Sequence, residues 1–211
     1  MNVQTQYFSL AGAVGSLECA LDIPDAAHFV APRGVALVAH PHPLFGGTMD
    51  NKVVHTLVRS FLVLGYVSMR MNFRGVGTSD GVHDEGRGEV DDMALLLAHA
   101  QQQYPNLPYA LAGFSFGTFV LAQLQQRLSA AGTPAERLVL VGCAAGKWDV
   151  PEVPSNTIVI HGEQDDTIPL AAVFDWARPQ DLPVLVIPGA DHFFHRKLQH
   201  IKNFVVEMWH R

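Results

Sequence analysis

The segment LPYALAGFSFGTFV, residues 107–120, decides how the rest of the chain is read. Leu107 to Phe114 is a short, nearly continuous apolar run, as expected of a strand buried on both faces. Phe116 to Leu128 continues with helical spacing. Between them stands Gly113-Phe114-Ser115-Phe116-Gly117, a G-x-S-x-G at a strand-to-helix junction. A turn that sharp lifts the serine hydroxyl clear of the sheet. Side chains two residues to either side would collide across it, so both flanks must be small. The helix start just after Ser115 also favours negative charge developing there. An idle serine in a glycine-rich turn is the plain alternative. It leaves the flanking strand and helix without a purpose.

Working outward, strands and helices alternate. Thr5 to Leu10 and Leu17 to Ile23 read as a hairpin turning at Gly12 and Gly15. Gly34 to Ala39 and Tyr66 to Asn72 are buried strands. Between them Asp50 to Leu64 is a helix, with Asp50 as N-cap and Gly65 as C-cap. Glu85 to Tyr104 holds a second helix. Beyond the elbow, Arg137 to Val141, Thr157 to Ile160 and Val184 to Ile187 are strands. A helix near Leu170 to Ala177 lies among them, and Phe193 to Trp209 closes the chain as a helix. This order predicts an α/β fold: a mostly parallel central sheet, helices on both faces and an antiparallel N-terminal hairpin at one edge. In such sheets the site lies beyond the carboxyl ends of the strands.

The 211 residues, 48% of them hydrophobic, fit a single domain over 1–211, with no linker, repeat or low-complexity tract. Net charge is −6, and there is no Lys/Arg run, which argues against a nucleic-acid partner or an anionic membrane surface. The first 20 residues lack a signal-peptide pattern, and the apolar runs are far shorter than the roughly 20 residues of a membrane span. The expectation is a cytoplasmic protein acting on a small molecule. A homodimer is admitted but not required. Cys19 and Cys143 read as separate buried residues rather than a disulfide or zinc site.

A serine hydroxyl needs a base, and the base needs an orienting group. With an elbow of this kind the acid and then the histidine follow the serine in chain order. After the strand at 157–160 comes HGEQDDTIP, residues 161–169, with Asp165 and Asp166 both at the strand end. After the last strand comes GADHFFH, residues 189–195, with His192 in the loop and His195 beside the first turn of the closing helix. The tetrahedral oxyanion needs donors as well, each worth roughly 3–4 kcal/mol. One is the backbone N–H of Phe116. The other comes from the loop His40-Pro41-His42-Pro43-Leu44-Phe45, whose prolines carry no N–H. His42 and Leu44 are the candidates.

The stretches HPHPLFGGTMDNK, MNFRGVGTSDG, AGFSFG, HGEQDDTIP and GADHFF together resemble the small serine α/β-hydrolases related to dienelactone hydrolase and bacterial esterases. The likeness spans residues 5 to 209. It implies the α/β-hydrolase fold and a Ser115–His192–Asp165 triad. The family's acid-loop spacing selects Asp165 over Asp166, its G-x-x-H-x-F pattern selects His192 over His195, and its oxyanion loop selects the His42 N–H over that of Leu44. Dienelactone hydrolase itself uses cysteine where Ser115 stands, which points to serine-esterase chemistry instead. No chemistry is assigned to residues 72–79.

Only Gly142 to Asn156 separate two strands where many relatives insert a helical cap, so a lidless site is expected. Phe45, Phe114, Phe116 and Trp148 are its candidate pocket residues, and small esters its expected substrates, cleaved without a cofactor. Three rival readings remain. A metal hydrolase could use the His40/His42 pair with His161, Asp165 and His192. A binding protein could keep the fold without the chemistry. A thioesterase, peptidase or amidase could use the same triad.

Overall fold

The computed structural model describes residues 5–209. Eight strands form one sheet: β1 (Gln6–Gly12), β2 (Gly15–Asp22), β3 (Gly34–Ala39), β4 (Tyr66–Met71), β5 (Tyr109–Phe114), β6 (Arg137–Val141), β7 (Ile158–Gly162) and β8 (Val184–Ile187). Their spatial order is β1-β2-β4-β3-β5-β6-β7-β8. β1 and β2 pair antiparallel, and β2 pairs antiparallel with β4. From β4 to β8 every pairing is parallel. This is the α/β-hydrolase arrangement expected from the sequence, with the hairpin at one edge.

Successive side chains of a strand point to opposite faces, so a strand covered on both sides must be apolar throughout. β3, β4 and β5 obey this with almost every residue buried. Ser68 and Arg70 of β4 are the polar exceptions, and the Arg70 guanidinium is paired with Asp22. On one face Ala36, Val38, Ala112 and Val139 meet α1 (Lys52–Val63) and α5 (Leu198–Met208). On the other, Leu37, Met69, Leu111 and Leu138 meet α2 (Arg87–Gln103), α3 (Phe116–Ala130) and α4 (Leu170–Ala177).

Three helix ends differ from expectation. The N-cap of α1 is Asn51, not Asp50: its side chain accepts from the Val53 N–H at 2.8 Å. Asp50 instead faces His55 and Arg70. At the other end Gly65 follows the cap residue Leu64, with φ +85°. The closing helix starts at Leu198, five residues later than Phe193. Phe194 and Arg196 have positive φ, which breaks helical continuity between the loop and α5.

Among the described residues no cap covers the carboxyl ends of the strands. The β6–β7 connection contains only an isolated bridge, Ala145 to Trp148, among its described residues. No helix among the described residues is long and apolar enough to cross a membrane.

Candidate active site

Ser115 stands at the tip of β5 with φ 54° and ψ −122°. A non-glycine residue in such a region costs on the order of 1–3 kcal/mol and is held only by its surroundings. The restraints are visible. The Ser115 N–H donates to the Val141 carbonyl at 3.0 Å, and the Thr118 N–H donates back to the Ser115 carbonyl at 2.8 Å. The flanking glycines are required sterically. A Cβ on Gly113 would lie 2.5 Å from the Gly117 carbonyl oxygen, and one on Gly117 would lie 2.6 Å from that of Ala39. The elbow is therefore wedged between its own helix and β3.

The loops after β7 and β8 converge on it. The Asp165 Oδ1 accepts the N–H groups of Thr167 at 3.0 Å and Ile168 at 2.7 Å. That leaves Oδ2 for His192 Nδ1, 2.7 Å away. His192 Nε2 lies 3.0 Å from Ser115 Oγ. All three residues are nearly or wholly buried. Burial pushes the Asp165 carboxyl up. The hydrogen bond from His192, the Ile168 N–H and the neighbouring imidazoles outweigh it and hold the group below the usual carboxylate range. A carboxylate facing Nδ1 fixes the proton there and leaves Nε2 bare towards the serine. Asp166 is exposed, and its carboxylate only meets the Thr167 hydroxyl at 3.5 Å. His195 is exposed too and is turned to Asp191, 2.6 Å away.

His161 was not read from the sequence as part of this arrangement. Its Nε2–H donates to the Ile168 carbonyl at 2.9 Å and lies 3.4 Å from Asp165 Oδ2. It braces the acid from below. Its sequence signal was its place at the head of HGEQDDTIP, four residues ahead of Asp165.

The loop after β3 is fastened by the segment that received no chemistry. His40 Nδ1–H donates to its neighbour's carbonyl, Pro41, at 2.6 Å, and its Nε2 accepts the Phe73 N–H at 2.9 Å. Both nitrogens are occupied within the protein, which speaks against a metal-ligand role for His40. Asn72 accepts the Met49 N–H at 2.9 Å, and Arg74 is held by Asp92 and the Gly88 carbonyl. The Leu44 N–H is taken by the His42 imidazole at 3.2 Å. The N–H groups of His42 and Phe116 have no acceptor among the described residues. A second unread pair supports this wall: buried Glu89 accepts from His83 at 2.8 Å, and the His83 ring packs 4.6 Å from that of His42.

His40 gives a stability prediction. Burial keeps its imidazole neutral, with the pKa lowered to about 3. An unfolded chain takes up that proton near pH 6.5. The unfolded state thus binds more protons between those values. Stability is fullest above pH 6.5 and falls with acid by about 1.4 kcal/mol per unit for each such imidazole. Burial also lowers the pKa of His161. Urea midpoints should drop steadily from pH 7 to 5, and His40→Asn should have a shallower slope.

Two cavities meet at Ser115, sharing His42, Phe45, Lys147 and Thr167. One, of about 310 Å³, runs past His192, Phe193 and Asn51. The other, of about 350 Å³, runs past Phe116, Trp148 and Ile168. Phe45, Phe116 and Trp148 line these cavities. Phe114 does not. It points into the face of α1 and α5, is wholly buried, and packs under the His192 ring at 5.1 Å. Strand alternation sends it to the opposite side from the cavity.

The family model Hydrolase_4, serine aminopeptidase S33, matches residues 32–159. The chain belongs to this family of α/β serine hydrolases. Family membership makes it a hydrolase by fold and lineage, without fixing the bond cleaved. It is 33% identical over 188 residues to the uncharacterised protein RP471 of Rickettsia prowazekii, covering 81% of this chain and 76% of that one. Among solved structures it is similar to XC6422 of Xanthomonas campestris, an α/β serine hydrolase without lid. There the TM-score is 0.91 and the identity 33%, over 100% and 96% of the two chains. It is also similar to an α/β serine hydrolase homologue from Coxiella burnetii, with TM-score 0.86 and 33% identity over 96% of each chain.

Proposed function

We propose that the protein is an esterase that works by two-step acyl transfer, with Ser115 as nucleophile, His192 as base and Asp165 as orienting acid. The observation that carries this is the unbroken line from Asp165 Oδ2 through both nitrogens of His192 to Ser115 Oγ. Ser115 Oγ attacks the ester carbonyl while His192 Nε2 takes its proton. Asp165 stabilises the imidazolium. The unpartnered N–H groups of Phe116 and His42 are suited to receive the oxyanion. As the tetrahedral adduct collapses, His192 returns the proton to the departing alcohol. Water then repeats the sequence and frees the acid.

Peptide cleavage is the second reading, because the family's description names an aminopeptidase. An aminopeptidase must hold a free ammonium. The cavities at Ser115 are lined by no carboxylate and by one lysine, Lys147, which favours the ester.

A fluorophosphonate probe should label Ser115 and stop turnover of short p-nitrophenyl esters. A protein that neither labels nor turns over any ester would be a binding protein on this fold. Loss of activity to a chelator, with the probe inert, would instead make it a metal hydrolase.

A further inference from the structure

The two cavities at Ser115 are not equivalent, and the proposed chemistry tells them apart. The group that leaves must receive its proton from His192 Nε2. It therefore departs on the side lined by His192 and Phe193. The acyl part is left on the side of Phe116 and Trp148, whose wall lacks His192.

The leaving side does not end at Phe193. A further cavity of about 520 Å³ shares Asn51 and Phe193 with it and is also lined by Asp50, Lys52, His195 and Arg196. Lys52 and Arg196 are exposed, and neither side chain has a hydrogen-bond or ion-pair partner among the described residues. The nearby acids are occupied. Asp50 lies 3.3 Å from His55 and 3.7 Å from Arg70, and Asp191 holds His195. Lys147, at the mouth of both inner cavities, is unmatched in the same way. On a chain of net charge −6, the groove leading away from the leaving side is thus bordered by two unpaired cations, Lys52 and Arg196, and by one carboxylate, Asp50, that is turned to His55 and Arg70.

We infer that the natural substrate has an elongated alcohol or thiol leaving group bearing an anionic oxyacid, phosphate or carboxylate, which lies beyond Phe193 against Lys52 and Arg196. This rests on the esterase reading, since that reading assigns the leaving side. Long chains pass Phe193 without a cap to stop them, and the charged end supplies binding that a small neutral alcohol lacks.

The test uses matched esters with one acyl group and leaving groups that end in a hydroxyl, a carboxylate or a phosphate. A fourth ester carries the carboxylate on the acyl part. The wild-type protein should prefer the anionic leaving groups in kcat/KM by roughly three- to tenfold at low salt, the scale of two exposed charge pairs, and lose the preference at high salt. Carboxylate against phosphate identifies which oxyacid is held. In Lys52→Glu/Arg196→Glu the ratio of anionic to neutral turnover should invert. The milder Lys52→Gln/Arg196→Gln should bring it near one. The ratio is the quantity read, because a folding defect lowers every arm together. Equal turnover of neutral and anionic leaving groups, a ratio unmoved by charge reversal, or a gain confined to the acyl-side anion would overturn the inference while leaving an esterase. No turnover of any of the four, with no probe labelling of Ser115, would instead remove the esterase reading itself.

Discussion

Asp165→Asn should lower kcat for a small ester by about 10⁴-fold at pH 7, the loss expected when the base is locked in the wrong tautomer. The geometry forces this outcome. Oδ1 of Asp165 is held by two backbone N–H groups, from Thr167 and Ile168. In the asparagine variant only the carbonyl oxygen can take that place. The amide NH₂ must then occupy the Oδ2 position and donate to His192 Nδ1, 2.7 Å away. A nitrogen that accepts there cannot carry the proton. The proton moves to Nε2, where it faces Ser115 Oγ and ends the imidazole's service as base. Asp166→Asn should stay within about twofold, because Asp166 is exposed and touches only Thr167. Steady-state kinetics of the two variants, with circular dichroism to check folding, decides between neighbouring carboxylates. Equal losses from both would sink the assignment.

Ser115→Ala should cost at least as much, about 10⁴- to 10⁶-fold in kcat. The residual rate measures what binding and the oxyanion donors supply alone. The variant should still fold. Alanine keeps the Cβ that the strained backbone already accommodates, and the Ser115 N–H bond to the Val141 carbonyl is main-chain. Burst kinetics with a p-nitrophenyl ester should show stoichiometric early release in the wild type if deacylation is slow, and none in the variant. Retention of full turnover would exclude Ser115 as nucleophile.

The elbow was legible because its demands are local. A strand pattern, two glycines at fixed offsets and a helix pattern lie within 22 residues, 107–128. Order of elements was legible for a similar reason: strands covered on both faces must be apolar throughout, as β3 and β5 are. The resemblance then selected Asp165 and His192 from their neighbours, and the structure brings those two to Ser115. Hidden features depended on partners distant in sequence. Asn51 took the cap because Asp50 was drawn to His55 and Arg70, the latter 20 residues away. Phe114 looked like a pocket aromatic beside Ser115, yet strand alternation turned it into the core. His83 and Glu89 carry no motif, and His161 heads one whose assigned residue was Asp165; their use appears only when loops from different strands meet. Residues 72–79 carried no chemical type worth noting, and they brace the neighbouring loop through Asn72 and Phe73.

The bare connection between β6 and β7 bears on where an acyl group goes once it is fixed to Ser115. Enzymes that pass acyl groups to a second alcohol must keep solvent away while the first product departs and the acceptor enters. That shielding is the work of a closing cover, and hydrolysis is the side reaction it suppresses. Here, among the described residues, nothing folds over the strand ends. Water would then have access to the space behind a departing alcohol and would compete with any second acceptor. For the proposed acyl-enzyme, the short loop would tilt the partition between transfer and hydrolysis towards hydrolysis.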